Sequence, residues 1–275
     1  MSIPKRIIQI STRGLQPLAK AVAMNLRLLH PDWEYILFTE DGMNRFVQEE
    51  FPEYVAIFGA FSKVIQRIDF FRYLAVFRLG GFYFDLDVLL SRELSDLLSY
   101  ESVFPFEELT LNRYLRRQYN MDWELGNYAF GAAPGNPFVG AVIQNCLRAQ
   151  TDKEWVEPMR RGVWSMLRSE FDVLNTTGPA LISRTFAENR DLAMNVKVLF
   201  PENVCDRANW YNFGDYGLHM MAGSWLSGRN SLWRRFAVRI DAISRARLLV
   251  ESRRLGPFRG IPMPSAKIEE GKLVL

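Results

Sequence analysis

Two carboxylates spaced two residues apart, Asp85 and Asp87, close the run Gly80-Gly81-Phe82-Tyr83-Phe84-Asp85-Leu86-Asp87. On a regular strand such a pair shares one face, and at a strand end both can converge on one divalent cation. Hard cations such as Mg2+ and Mn2+ prefer carboxylate oxygens and often share their coordination with substrate phosphates. The octet is therefore a candidate metal-diphosphate site. A bare Asp-x-Asp is also an ordinary strand-end turn, so its weight depends on what surrounds it.

Upstream, Asp69 and Arg72 stand at i, i+3 on one face of a predicted helix. As a solvated ion pair they would contribute about 0–1 kcal/mol. Their neighbours Ile68, Phe70, Phe71, Tyr73 and Leu74 argue against a solvated face. The pair reads instead as part of a site, with Asp69 accepting from ligand hydroxyls and Arg72 orienting it or binding an anion.

The elements that must position these groups follow from the periodicity. Ile7 to Ile10 reads as a buried strand. A helix follows over Pro17 to Leu29, with Leu18, Val22, Leu26 and Leu29 as its apolar face. Tyr35 to Phe38 is a second strand, closed by Asp41-Gly42 as a turn. Strand, helix, strand is a βαβ unit and predicts a parallel sheet. Helices are predicted over Met43 to Glu50 and Lys63 to Leu79; Gly80-Gly81 stops the latter and Phe82 to Phe84 begins the next strand. The aspartates then lie at the carboxyl end of a strand, the edge at which open α/β sheets bind ligands.

Further on, Phe104 to Glu108 reads as a strand entering a loop, and Asn112 to Trp123 as a polar, aromatic lid or acceptor-binding insertion. A helix is expected over Ala180 to Ala187 and a strand over Val196 to Phe200. Leu232 to Val250 is amphipathic, with Arg234, Arg235, Arg239 and Arg245 opposite its apolar face.

The chain has 275 residues, 48% hydrophobic and 24% charged, which suits a globular domain with a large core. Net charge is +3, too little to argue for nucleic acid. Cys146 and Cys205 have no metal-ligand spacing, and a reduced, cytoplasmic setting is the simplest reading. Leu125 to Leu147 lacks charge, but Pro134-Gly135-Asn136-Pro137 breaks it into strand, turn and helix, so it is not a membrane span.

Ile65-Gln66-Arg67-Ile68-Asp69-Phe70-Phe71-Arg72-Tyr73-Leu74 followed by the Gly80–Asp87 octet resembles the DxD sugar-binding region of glycosyltransferase family 32. That family includes yeast initiating mannosyltransferases and bacterial polysaccharide enzymes. The chain is similar, more distantly, to the glucosylating domains of large clostridial toxins. Ile3-Pro4-Lys5-Arg6-Ile7, Pro31-Asp32-Trp33, Asn127 with Ala133 to Pro137, Thr177-Gly178-Pro179, and His219 before Ser224-Trp225 extend the match over roughly residues 3 to 225.

The resemblance implies an α/β, GT-A (Rossmann-like) catalytic domain over residues 1–230, with a helical C-terminal extension and irregular tail over 231–275. It implies a retaining transfer of a hexose or N-acetylhexosamine, UDP-sugar favoured, to a glycan or lipid-linked acceptor in surface polysaccharide synthesis. Asp69 and Arg72 would hold the donor sugar, Asp85 would contact sugar or ribose and the metal shell, and Asp87 would ligate Mn2+ or Mg2+. Gln9, Ile10 and Gly81 would also lie along the donor. His219 would complete the metal site, and Ser224 and Trp225 would lie near the diphosphate. Glu107 and Asn127 are acceptor-side candidates; a solvated loop is the plain alternative. One departure stands out: where the family commonly has His-Gln-x-Trp after the opening strand, this chain has Ile8-Gln9-Ile10-Ser11, so no tryptophan is there to stack a base.

Two readings of His219 stay open on the residues alone, a packed core histidine beside Met220-Met221 or a ligand. His30, at a helix end beside a proline, reads as structural. The arginine face at the C-terminus is either solvated or a peripheral contact with anionic lipid at the inner face of the cell membrane. Against the transferase stand a metal-dependent nucleotidyltransferase using the same aspartates and a non-catalytic nucleotide- or glycan-binding protein on the same fold.

Overall fold

The computed structural model describes residues 2–163, 168–201, 203–204, 206–220, 267–269 and 272–274. In chain order its elements begin β1 (Arg6–Ile10), α1 (Pro17–Leu29), β2 (Glu34–Phe38), α2 (Glu40–Glu50), α3 (Val55–Ala60) and α4 (Val64–Leu79). They continue β3 (Gly81–Phe84), β4 (Val88–Leu90), β5 (Ser102–Leu109), α5 (Arg113–Gln118), β6 (Trp123–Leu125), β7 (Ala129–Ala132) and α6 (Pro137–Thr151). Then come α7 (Lys153–Arg161), α8 (Arg168–Thr176), α9 (Pro179–Glu188), α10 (Arg190–Ala193), β8 (Val196–Leu199), β9 (Asn212–Phe213), β10 (Gly217–His219), β11 (Lys267–Glu269) and β12 (Lys272–Val274).

The main sheet runs β2-β1-β3-β7-β5-β6, with β8 also paired to β5. The expected βαβ unit is present: β1 pairs in parallel with β2 and with β3. The prediction of a parallel sheet holds only for that half and for β5–β8, because β7 enters antiparallel between β3 and β5 and the sheet is mixed. A smaller sheet, β4-β10-β9, caps the carboxyl end of β3 and brings residue 219 beside residue 88.

Two apolar layers sandwich the main sheet. Ile7, Phe82, Phe84 and Val103 pack with Val22 and Leu26 of α1 on one side. Ile8, Tyr83, Phe104 and Phe130 pack with α4 and α6 on the other. α1 packs Val22, Leu26 and the half-buried Leu29 of the expected face inward, together with Ala19 and Ala23; of that face only Leu18 is exposed. Asp41-Gly42 is no turn either. Thr39 caps α2, its Oγ1 accepting from the Gly42 N–H at 3.1 Å, and this draws both residues into the first helical turn.

α4 is covered on nearly its whole circumference, and it buries Gln66, Asp69 and Arg72 along with its aromatics. A helix of that kind must pair its polar groups internally, and that requirement builds the site. It ends at Gly80 (φ 66°), followed by Gly81 (φ 106°), where a Cβ would fall 2.7 Å from the Arg6 carbonyl. Only glycine fits that approach of β1 to β3. The 112–123 stretch is not a free lid. Asn112, Leu115, Met121 and Trp123 are buried, and α5 packs beside α7. The arginine-bearing helix expected over 232–250, and the domain division at 230, lie outside the described residues.

Candidate active site

Asp85 and Asp87 converge by a different route from the expected pleat. β3 ends at Phe84, the chain turns through Leu86-Asp87, and β4 leaves at Val88. The Asp85 N–H donates to the Tyr128 carbonyl at 2.7 Å, and the Asp87 carbonyl accepts from the Met220 N–H at 2.9 Å. The turn is thereby pinned between β7 and β10. It places one ligand atom each of Asp85, Asp87 and His219 within 4.8 Å of one another.

His219 Nε2 lies 3.3 Å from Asp87 Oδ1, and its ring stacks on Tyr128 at 4.3 Å between centroids. Its Nδ1 is buried and has no hydrogen-bond partner among the described residues. Two carboxylates and an imidazole, close enough to share one ion, form a donor set that suits Mn2+ or Mg2+. The residues present fit the expected metal.

Behind this group lies a buried polar network. Arg72 Nη2 approaches Asp69 Oδ1 at 3.0 Å and Asp85 Oδ1 at 3.3 Å, while Nη1 donates to the Asn127 carbonyl at 2.7 Å. Its guanidinium stacks 4.6 Å over the Tyr83 ring, whose hydroxyl donates to Asp85 Oδ1. Asp69 accepts from Asn127 Nδ2 at 3.2 Å on one oxygen and from Thr177 Oγ1 at 2.9 Å on the other. Tyr73 completes the ring, donating to the Thr177 carbonyl at 2.6 Å and accepting from Asn127 Nδ2 at 2.9 Å. Arg72 thus joins Asp69 of α4 to Asp85 of the three-residue cluster.

Burial pushes the Asp69 carboxyl up to about 6, with Arg72, Thr177 and Asn127 opposing the shift. Asp85 is also raised by burial, against the pull of Arg72 and His219. Burial holds the Tyr73 and Tyr83 phenols well above their usual range, so they serve as neutral donors. A carboxyl whose folded value exceeds its unfolded one favours the folded state at low pH. That contribution is lost as pH rises from about 4 to about 6. Two units correspond to roughly 3 kcal/mol. Asp69→Asn should therefore gain up to roughly 3 kcal/mol relative to wild type between pH 4 and 7 in urea unfolding. A stability difference that stays flat with pH would remove Asp69 as the titrating group.

The other sequence-predicted residues divide. The Gln9 side chain is buried, donating to the Phe84 and Asp85 carbonyls at 3.4 and 3.3 Å and accepting from the Tyr35 hydroxyl at 2.7 Å. It ties β1 to the aspartate turn. Ile10, also buried, is in register with Phe38 of β2. Gly81 starts β3, at the opposite end from Asp85, and its close neighbour is Arg6, so it is not brought to the site.

Ser11 is 6% exposed, and its Oγ has no partner among the described residues. It borders a cleft of about 360 Å³ at the carboxyl ends of β1 and β2, shared with Thr12, Leu15, Leu37 and Asp41. Ser224 and Trp225 lie outside the described residues.

Asn127 is not a solvated loop residue: its Nδ2 donates to Asp69 and Tyr73, and its carbonyl accepts from Arg72. The antiparallel entry of β7 places it beneath α4. Glu107 sits on β5, where its carboxylate and the Tyr128 ring leave no room for a Cβ at Gly126. The neighbouring Glu108 accepts from the Tyr211 hydroxyl. His30 is structural: Nδ1 meets the Leu26 carbonyl at 2.9 Å and Nε2 accepts from the Leu94 N–H at 3.1 Å. Sequence reasoning missed the roles of Tyr73, Tyr83 and Tyr128, which read as ordinary core aromatics. The position of Tyr73 one turn after Asp69 was the available signal.

Residues 19–104 match the family model described as "Glycosyltransferase sugar-binding region containing DXD motif". The match takes in Asp69, Arg72, Asp85 and Asp87. The chain is 32% identical over 120 residues to inositol phosphoceramide mannosyltransferase 3 of Schizosaccharomyces pombe, covering 44% of this chain and 30% of that protein. It is 28% identical over 155 residues to mannosyl phosphorylinositol ceramide synthase SUR1 of Saccharomyces cerevisiae, covering 56% and 34%. The chain thus spans about a third of the length of these curated relatives. Among solved structures it is similar to the PaToxG glycosyltransferase, with a TM-score of 0.47 and 16% identity over 70% of this chain and 76% of that one. Residues 19–104 thus match the DXD sugar-binding region of glycosyltransferases, from α1 into β5, and over part of its length the chain is similar to mannosyltransferases.

Proposed function

We propose that the protein is a retaining, metal-dependent glycosyltransferase that moves a hexose or N-acetylhexosamine from a nucleotide-sugar donor to a glycan or lipid-linked acceptor. The observation that carries this reading is the Asp85–Asp87–His219 group joined through Arg72 to the buried Asp69. Phosphate-binding metal ligands and a charge-paired hydroxyl acceptor lie side by side at the carboxyl edge of β3, where α/β sheets bind ligands.

Asp85, Asp87 and His219 would hold Mn2+ or Mg2+, which supplies Lewis-acid stabilisation of the departing diphosphate, worth several kcal/mol. Arg72, fixed by three partners, keeps Asp85 aimed at that position. Asp69 retains lone pairs beyond those committed to Arg72, Asn127 and Thr177, and these can accept from donor-sugar hydroxyls. The cleft beside Ser11 would take the nucleotide base without a tryptophan stack. With an oxocarbenium-like anomeric carbon, the acceptor hydroxyl attacks from the face the diphosphate leaves. Its proton passes to the leaving phosphate oxygen, so no strong general base is required.

Lipid-linked acceptors gain support from the names of the curated relatives, which act on inositol phosphoceramide. We place the protein in the cytoplasm, peripheral to the inner face of the membrane, in surface polysaccharide synthesis.

The deciding measurement is a panel of GDP-mannose, UDP-hexoses and UDP-N-acetylhexosamines, scored with Mn2+ for hydrolysis or transfer, and by NMR for the anomeric configuration of the product. Turnover with retention is expected. Neither binding nor turnover with any donor sinks the enzyme reading. Turnover of nucleoside triphosphates alone would favour a nucleotidyltransferase instead.

A further inference from the structure

α1 is apolar on two opposite faces. Ala19, Val22, Ala23 and Leu26 enter the core. The outward line is Pro17, Ala21, Met24 and Leu28, again at helical spacing and all exposed. Met24 is 64% and Leu28 74% exposed. A surface helix ordinarily turns polar residues outward. Here the charges stand beside the apolar line instead: Lys20 and Arg27 are exposed along one flank, and Arg13 lies exposed in the preceding loop. The stretch from Ser11 to Leu29 contains no Asp or Glu.

The other flank of α1 meets the small sheet. Asn25 Nδ2 donates to the Leu90 carbonyl at 3.0 Å, and its Oδ1 accepts from the Leu90 N–H at 2.9 Å, tying the helix to β4. On β4 the Leu89 side chain points away from the core, cross-strand from Leu218 of β10, and both are exposed. Leu89 follows Asp87 by two residues, and Leu218 directly precedes His219. Leu89 and Leu218 thus add exposed apolar side chains on the small sheet to which α1 is tied, close in the chain to the Asp87 and His219 positions.

We propose that this face seats the protein on an anionic lipid surface. Met24, Leu28, Leu89 and Leu218 enter the boundary between headgroups and acyl chains, and Lys20, Arg27 and Arg13 lie against lipid phosphates. An apolar line flanked by Lys and Arg without acidic residues is the pattern of an interfacial helix. The charge also decides between occupants: a second copy in a two-fold interface would bring the basic flank against itself, whereas a phosphate-bearing surface complements it. Docking in this way holds the Asp85–Asp87 turn at headgroup level. The inference rests on α1, β4 and β10, and donor turnover plays no part in it.

The test is co-sedimentation of the full chain, without donor or metal, with vesicles of phosphatidylcholine alone or with about 30% phosphatidylglycerol. Binding to the anionic vesicles is expected, weakened by about 0.5 M salt. Met24→Glu with Leu28→Glu, and separately Lys20→Glu with Arg27→Glu, should each lower the bound fraction at least about tenfold. These positions are exposed, so both variants should stay folded, which a thermal melt checks. Failure of the wild type to bind anionic vesicles overturns the proposal, as does undiminished binding by both variants. A dimer seen by sedimentation equilibrium and abolished by the Met24/Leu28 change, without vesicle binding, assigns the face to a second copy. Binding lost only with Arg234→Glu and Arg235→Glu assigns the contact to residues 231–275 and equally overturns it.

Discussion

Replacing Arg72 by methionine should cost about 3–5 kcal/mol of stability, the range for breaking one side of a buried ion pair. The guanidinium is 3% exposed and serves Asp69 and Asp85 through one nitrogen and the Asn127 carbonyl through another. Methionine fills much of the volume and keeps the apolar stem, so the loss reports chiefly the charge and its hydrogen bonds. It would leave two carboxylates facing each other in a desolvated pocket that already raises both. Lysine should not rescue it, because a single ammonium cannot span the positions that the planar fork reaches.

Urea unfolding at neutral pH measures this directly, and a loss under about 1 kcal/mol would refute the account. A cycle with Asp69→Asn sharpens it. Since the two groups touch, the double variant should lose less than the sum of the singles, by roughly 1–3 kcal/mol. Additive losses would show that Asp69 and Arg72 are not the coupled pair their geometry describes.

The same pair shows how far residues alone carried the reading. α1, α4 and β3 were legible because their signals are local: proline at a first turn, glycines at a helix end, apolar spacing between. Asp69 and Arg72 stood out because charges in an aromatic helix need partners. Which partners they take was not legible. Thr177 and Asn127 come from distant segments, delivered by α8 and by the antiparallel entry of β7, and strand direction in a mixed sheet is a non-local outcome.

Local chemistry also misled where a cap overrode it. Asp41-Gly42 has the composition of a turn, but the Thr39 hydroxyl satisfies the Gly42 N–H and makes a helix start of it. Asp85 and Asp87 were paired on the assumption of a continuous strand, whereas a turn pinned by Tyr128 and Met220 brings them together. The residue types pointed to shared coordination; the backbone found another way to supply it.

Asp87→Ala should lower turnover at least ~100-fold, or about 2.7 kcal/mol of transition-state stabilisation. The stability cost should be smaller than that of Arg72→Met, because the Asp87 side chain is partly exposed at a turn and its backbone contact with Met220 survives the change. That separation sets it apart from Arg72, where fold and site fail together. Among the described residues Asp87 supplies one of three groups within reach of a common ion, and without it two of them, Asp85 and His219, remain. Mn2+ affinity, read by calorimetry without donor, should fall together with the rate. Asp87→Asn keeps the shape and one oxygen but loses the charge, so it should recover little of either. Raised Mn2+ that restores the rate of the alanine variant would place the defect in binding the ion. A variant that holds Mn2+ normally yet stays slow would move Asp87 from ligand to a direct contact with the donor. Near-wild-type rates with the fold intact would exclude both roles.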